Sequence, residues 1–208
     1  MSTSGDPAVF YILIPIFLAL GIYLIIYNKK KSSMFRSISA ARGMSYQNKD
    51  DGQIERMLSD KIKIEEQNYV RTISNVKDII QHGEIHIFRC TELLDLYKWG
   101  NPQNTHHQRV VLFFNVPQDA SLFFFVNPEK REYKSMYPAN KNLNEDRFFK
   151  SIKTQIEKYP PPHPISVTLS RGAAFIYLEP MIAGGEKKTD IDYLFNLGEK
   201  LKEVTADF

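Results

Sequence analysis

Three residues that alternate along the chain carry side chains able to bind a metal ion. His82, Glu84 and His86 are each two positions apart, and the pair His106-His107 follows further along. Residues two apart share one face of an extended strand, so that face would present two imidazoles and a carboxylate. These groups are ligands of zinc and of other divalent ions. The spacing raises the hypothesis of a metal site, and with it a metal-binding or metal-dependent enzymatic domain.

The same pattern is typical of the polar face of an edge strand, and Gly83 favours a turn in this segment. Neither G-x-S-x-G nor H-E-x-x-H occurs, and the glycines at 184–185 lack the spacing of a phosphate-binding loop. Cys90 is the only cysteine and lies in an apolar run, which is typical of a core position. We therefore expect a protein that is not an enzyme and needs no cofactor.

The first predicted element of the chain is a long apolar segment near the amino terminus. No charged residue occurs from Pro7 to Asn28. A helix of about 22 residues is roughly 33 Å long, enough to cross a hydrocarbon core of about 30 Å. A cleaved signal peptide would need a basic start, a shorter apolar core and small residues at a cleavage site, whereas this segment begins with MSTSGD and ends with NKKKSS. Residues 7–28 are predicted to form one transmembrane helix.

Basic residues follow this helix directly. Lys29, Lys30 and Lys31, then Arg36, lie in a segment whose apolar residues recur at helical spacing and which Gly43 ends. Lysine and arginine beside a span stay on the cytoplasmic side, which predicts an extracytoplasmic tail at 1–6 and a cytoplasmic carboxyl-terminal part. Residues 29–44 are predicted to form a basic juxtamembrane helix. It either contacts anionic lipid through those four residues or packs on its own domain, and the short apolar stripe favours packing.

Residues 45–208 are long enough to form one domain with a substantial core. Two hairpins are predicted from strongly apolar runs, one joining Val110–Val116 to Ser121–Val126 and one joining Ile165–Ser170 to Ala173–Leu178. The first strand of the second hairpin alternates serine and threonine with apolar residues, which predicts one wet face. Helices are expected before and after the strands. The order indicates an α+β fold, with one transmembrane helix followed by a largely antiparallel sheet packed with helices.

A turn-rich segment interrupts the strand pattern between Leu94 and His107 and contains the only tryptophan, Trp99. Tryptophan in a loop is either a partner contact or an aromatic buried to hold the loop. The net charge of +3 is small and the basic residues are mixed with acids, which argues against nucleic acid as a partner.

The segments ISAARGMSYQ and NYVRTISNVKD, separated by a short charged helix, resemble uncharacterised bacterial single-pass membrane proteins with a cytoplasmic α+β domain of unknown function. The resemblance implies this architecture, in the plasma membrane if the chain is bacterial, and implies no catalytic residue. The expected partners are the lipid bilayer and another protein. The expected function is a membrane-tethered, non-enzymatic interaction or accessory domain in a membrane-associated complex, with the metal-dependent domain as the alternative.

Overall fold

The computed structural model describes residues 7–61, 69–98, 101–116, 122–137, 147–178 and 187–205. Within these ranges the chain forms four helices and eight strands. In chain order they are α1 (Pro7–Ala41), β1 (Ser45–Lys49), α2 (Gln53–Lys61), β2 (Tyr69–His82), β3 (Ile85–Lys98), β4 (Asn101–Asn115), β5 (Leu122–Asn127), β6 (Glu132–Tyr137), α3 (Arg147–Lys158), β7 (Ile165–Ser170), β8 (Ala173–Leu178) and α4 (Lys188–Thr205).

The strands form one antiparallel sheet in the order β1-β2-β3-β4-β8-β7-β5-β6. A long apolar helix therefore precedes a sheet domain with further helices, and the predicted α+β class is confirmed.

The first predicted hairpin is wrong, because β4 and β5 do not pair. The β7–β8 hairpin lies between them: Phe113 pairs with Phe175 of β8, and Phe124 pairs with Val167 of β7. Every residue of β7 and β8 is buried, so these two strands occupy the centre of the sheet. The apolar strand β4 therefore pairs with β8, and β5 pairs with β7, instead of β4 and β5 pairing with each other.

The chain reverses between Leu94 and His107 as predicted, but most of this segment is strand and not loop. β3 continues to Lys98, which pairs with Asn101 at the start of β4. Inter-strand hydrogen bonds use the backbone, so the polar sequence of β4 from 101 to 108 does not prevent pairing. Trp99 lies outside the described residues.

Two clusters of buried side chains lie on the two faces of the sheet. The larger cluster joins the carboxyl-terminal part of α1, α3 and α4 to the sheet, and the smaller one joins Ile54 and Leu58 of α2 to the other face. The wet face predicted for β7 is wrong. Ser166, Thr168 and Ser170 are at most 2% exposed, because β7 is central and buried on both faces.

Helix α1 contains both the predicted transmembrane segment and the predicted juxtamembrane helix without a break, over 35 residues. It ends in the hydrogen-bond pattern typical of a glycine stop: Gly43 has φ of +64°, and the Met44 N–H donates to the carbonyl of Ser39 at 2.9 Å. Large apolar side chains from Tyr11 to Ile26 are 40–80% exposed. The helix from Tyr11 to Ala41 is long and apolar enough, by length and composition, to span a membrane.

Candidate functional site: the junction of the apolar helix and the sheet

The exposed part of α1 gives way to a buried part at Asn28. Beyond it, Lys31, Phe35 and Ile38 are 8%, 0% and 1% exposed. These positions follow one another at three- and four-residue intervals, so they lie on one face of the helix. One face of the helix therefore becomes part of the domain core within about one and a half turns of the end of the exposed apolar segment.

A charged group lies where this change occurs, and we call it the junction cluster: Asn28, Tyr46, Lys77, Asp78 and Arg89. At its centre, Nη1 of Arg89 lies 2.8 Å from Oδ2 of Asp78. The two residues are 6% and 0% exposed. A carboxylate withdrawn from water to this extent requires a charged or hydrogen-bonding partner.

Irregularities in β2 place Asp78 on the α1 side of the sheet. Asn75 and Asp78 both have φ of +53°, and the pairing of β2 with β3 shifts register on either side of Lys77. Asparagine and aspartate tolerate this left-handed conformation better than most residues. In a regular strand Val76 and Ile79, which are three positions apart, would lie on opposite faces. Because β2 contains an extra residue at each register shift, both side chains pack on the α2 side.

The cluster joins α1 to three strands. Oδ1 of Asn28 accepts hydrogen bonds from Nη2 of Arg89 at 3.1 Å and from Nζ of Lys77 at 3.5 Å. The hydroxyl of Tyr46 in β1 donates to Oδ1 of Asp78 at 2.8 Å. Arg89 therefore bridges the helix and the carboxylate, and the helix cannot move along the sheet without breaking these bonds.

The electrostatics of the cluster follow from its burial. Burial, and next the hydrogen bond to Asp78, raises the pKa of Tyr46 to about 12. Burial, and next the nearby positive charge of Arg89, lowers the pKa of Lys77. Tyr46 therefore stays a neutral hydrogen-bond donor over the physiological pH range. The guanidinium of Arg36 lies 5.4 Å from its ring centre.

A second buried ion pair lies on the opposite face of the sheet. Nε of Arg109 in β4 is 2.9 Å from Oε2 of Glu92 in β3, and the two residues are 6% and 0% exposed. Together with the junction cluster it places a buried charge pair on each face of the β2–β3–β4 region. Neither pair was predicted from the sequence. The available signal was a charged residue inside an apolar run, as in IFRC around Arg89.

The residues predicted to bind metal lie at a hairpin turn. His82 ends β2 and pairs with Ile85, so the chain reverses at Gly83 and Glu84, where Gly83 has φ of +58°. Oε2 of Glu84 is 2.7 Å from Nζ of Lys202 in α4, and this contact lowers the pKa of Glu84.

His86 is half-buried, with its ring centre 5.7 Å from that of Phe113, and burial lowers its pKa. The described part of the chain holds no group of three or more histidine, cysteine, aspartate or glutamate side chains that could bind a metal. The geometry at this turn supports an ion pair with α4.

Three of the four residues predicted to face lipid are exposed, and the fourth is buried. Lys29, Lys30 and Arg36 are exposed. Lys31 is buried against the domain, and its ammonium lies 5.7 Å from the ring centre of Tyr27. The exposed lysines directly follow the exposed apolar part of α1, where lipid head groups would lie if that part crosses a bilayer.

An open groove lies at the other end of the sheet, with a volume of about 390 Å³. The β5–β6 hairpin, the end of α3 and Pro160-Pro161 line it. Within it, burial raises the pKa of Tyr133 to about 12, and the ammonium of Lys153 lies 5.2 Å from the Tyr133 ring centre. Pro161 is buried.

Comparison with known proteins adds one structural likeness. Neither the family models nor the characterised sequences contain a match to this chain. Among solved structures, the mycobacterial trehalose monomycolate transport factor A, TtfA, is similar, with a TM-score of 0.44 and 8% sequence identity. The match covers 83% of this chain and 93% of that one.

Proposed function

We propose that this protein is a membrane-tethered, non-enzymatic accessory domain and a component of a membrane-associated protein complex. The observation that carries the proposal is α1 itself. One helix runs from an exposed apolar segment into the core of a sheet domain, and the junction cluster holds it there.

Exposed apolar side chains from Tyr11 to Ile26 are unfavourable in water, and their burial in lipid gives roughly 25 cal/mol for each Å² removed from water. Lys29 and Lys30 then lie at one end of the span and favour a cytoplasmic position for the domain, with the amino terminus outside. The proposed topology is a single pass, N-out and C-in.

The way the helix is attached supports a scaffolding role. A flexible linker would only keep a domain near the membrane, where tethering already raises the effective concentration for weak contacts. Here the buried face of α1, with Phe35 and Ile38, also fixes how the sheet is oriented relative to the helix axis. A fixed orientation benefits a protein that must present one surface to a neighbour in the same membrane.

The test is extraction of the full chain from its native membrane in a mild detergent, followed by size measurement and identification of co-purifying proteins. We expect an assembly larger than a monomer that contains the same partner in repeated purifications. A matched control replaces residues 7–26 with an unrelated apolar span and keeps the native sequence from Tyr27 onward. If the partner binds the domain, the control retains it. A chain that runs alone and monomeric after gentle extraction contradicts the proposal.

Topology has a separate test in sealed vesicles of known sidedness. Protease added outside inverted vesicles should digest the domain, whereas vesicles of the original sidedness should protect it. The reverse pattern would overturn the N-out, C-in assignment while leaving the accessory role open to the extraction test.

A further inference from the structure

The groove between the β5–β6 hairpin and the end of α3 has an apolar floor and a charged rim. Val126 and Ile156 in its lining are each 1% exposed, and Pro161 beside them is buried. Arg131 on the hairpin side and Glu157 on the α3 side are exposed. A concavity of about 390 Å³ with apolar walls and a few polar groups is typical of a binding site.

Tyr133 contributes an aromatic ring that is held in place. The ring meets that of Phe149 edge-on, with 6.0 Å between their centres, and the ammonium of Lys153 lies 5.2 Å from the Tyr133 ring centre. Burial, and next the negative charge of Glu157, raises the pKa of Tyr133 to about 12. Its hydroxyl therefore stays protonated at neutral pH and is able to donate a hydrogen bond to a ligand.

The backbone around the groove has few N–H groups to offer a ligand. Three of the lining residues are prolines, which have no N–H. The side-chain oxygen of Asn127 accepts from the N–H groups of Glu129 and Lys130 at 3.1 and 3.2 Å. The N–H of Arg131 donates to the carbonyl of Pro128 at 3.3 Å. A ligand that needs a ladder of backbone hydrogen bonds, such as an added β-strand, is therefore poorly matched to this lining.

An exposed aromatic residue lies beside this lining in the chain. Among the described side chains outside α1, Tyr159 is the one large apolar side chain that is exposed, at 40%. It directly precedes two of the lining prolines, and its carbonyl accepts a hydrogen bond from the hydroxyl of Tyr193 at 3.1 Å. Tyrosine and arginine are enriched where proteins bind one another. Tyr133, Tyr159 and Arg131 therefore give this part of the domain the composition of a protein interface.

Strand register places the groove near the point where α1 leaves the domain. Val126 on β5 lies four strands away from Arg89 on β3, which contacts Asn28 of α1. The two residues lie in one row across the sheet, because their neighbours in the chain are joined by consecutive pairs from Phe88 through Val111, Tyr177 and Ser166 to Phe125. Four strand spacings amount to roughly 19 Å, a distance that about six residues of extended polyproline II helix would cover.

We propose that this groove binds a proline-rich segment of a partner protein in the polyproline II conformation. Such a segment keeps its backbone solvated and docks against aromatic and apolar side chains, so it needs few backbone donors from the groove. Arg131 on the rim selects an acidic residue beside the prolines. This inference rests on the proposed function and names the chemistry of the partner contact. A partner held in the same membrane reaches the groove through a short segment.

The probe is a library of random peptides displayed on phage and selected on the full chain in detergent micelles. We expect proline to be enriched about threefold or more over the unselected library, with an acidic residue close to the prolines. Selection without proline enrichment overturns the proposal, and apolar residues at three- and four-residue spacing would then identify a helix as the bound element. Failure to select any peptide overturns it as well.

Two variants and a matched control locate the bound peptides. Arg131→Gly removes the guanidinium without straining the backbone, because glycine readily adopts the φ of +50° found there. We expect Arg131→Gly to weaken binding of the selected peptides about tenfold and Tyr159→Ser to weaken it about fivefold. The control, Arg171→Gly, has φ of +48° in the β7–β8 turn and should bind like the native chain. Peptides that bind both variants as tightly as the native chain bind elsewhere, which overturns the proposal.

Folding and the proposed function are checked separately. Cys90, which is buried, should stay unreactive to maleimide in each variant, so that weaker binding cannot come from unfolding. In the mild-detergent extraction, loss of the partner from Arg131→Gly and Tyr159→Ser, with retention by Arg171→Gly, supports the groove as the partner site. A partner retained by all three overturns the groove and leaves the accessory function in place. A native chain that runs alone counts against the proposed function itself.

Discussion

Replacing Arg89 with methionine should loosen the junction between helix and sheet and destabilise the domain. Asp78 is fully buried, with the guanidinium of Arg89 at 2.8 Å and the hydroxyl of Tyr46 at 2.8 Å. Removing one partner of a buried ion pair costs about 3–5 kcal/mol, because the other charge stays buried. Since the Tyr46 hydrogen bond survives, we expect a loss of about 3 kcal/mol in the free energy of unfolding, at the lower end of that range.

A loss of that size should increase the fraction of open molecules about a hundredfold, since about 1.4 kcal/mol corresponds to a factor of ten. Cys90 is buried and is the only cysteine of the chain, so maleimide labelling at increasing urea measures that opening in the full chain in detergent. Asp78→Asn suits the positive φ of this position, and adding it to Arg89→Met should recover part of the loss by removing the unpaired charge.

The matched control is Lys200→Met, which removes an exposed ion pair with Glu203 within α4. Exposed pairs of this kind contribute at most about 1 kcal/mol, so labelling should change little. If Arg89→Met behaves like Lys200→Met, or if the added Asp78→Asn makes the protein less stable still, then the junction cluster does not hold the helix in the way argued above.

Three further outcomes are expected. Gly198→Val should lower the free energy of unfolding by about 1–3 kcal/mol in urea titrations, because even a Cβ at this position would lie 2.9 Å from Cδ1 of Leu112. The control, Asn196→Val at an exposed position of the same helix, should lower it by less than about 1 kcal/mol. Protein purified without a histidine tag should contain less than about a tenth of an equivalent of zinc, and replacing His82 and His86 together with alanine should leave partner binding unchanged; stoichiometric metal would instead support the metal-dependent alternative. Burial lowers the pKa of His86, so as the pH falls the unfolded chain binds a proton at this residue before the folded chain does. The contribution of His86 to the free energy of unfolding should therefore be complete above pH 6.5 and decrease below it, by at most about 1.4 kcal/mol per pH unit. His86→Phe should remove that part of the pH dependence, and an unchanged profile would contradict it.

The helices and the fold class could be predicted because their signals are local. Apolar length marks the first part of α1, and Gly43 marks its end. The β7–β8 hairpin was predicted correctly for the same reason, since its turn at Arg171-Gly172 is two residues long. These features depend on residues within a few positions of one another.

Pairing over long distances could not be predicted. β4 and β5 are consecutive and apolar, which favours a hairpin, yet their partners β8 and β7 come about 40 or more residues later in the chain. The two irregularities around Lys77 also break the period of two that identifies the faces of a strand. A wet face could not be told from a buried polar face in β7, because that depends on which strands lie beside it.

The junction cluster was missed for the same physical reason. Asn28 and Arg89 are 61 positions apart, and Asp78 reaches the helix only because of a local irregularity in β2. The charged residues inside apolar runs indicated that buried pairs exist. They did not indicate which residues form them.

The order of the central strands has a consequence for biosynthesis. During translation the β7–β8 hairpin emerges after all the other described strands, so β4 and β5 are complete before the strands that separate them exist. Their apolar edges then remain open to wrong partners, a condition that favours aggregation in slowly assembling sheets. If the chain is already inserted in a membrane through α1, tethering raises the effective concentration of neighbouring chains, so the open edges of β4 and β5 meet wrong partners more often until the β7–β8 hairpin inserts between them.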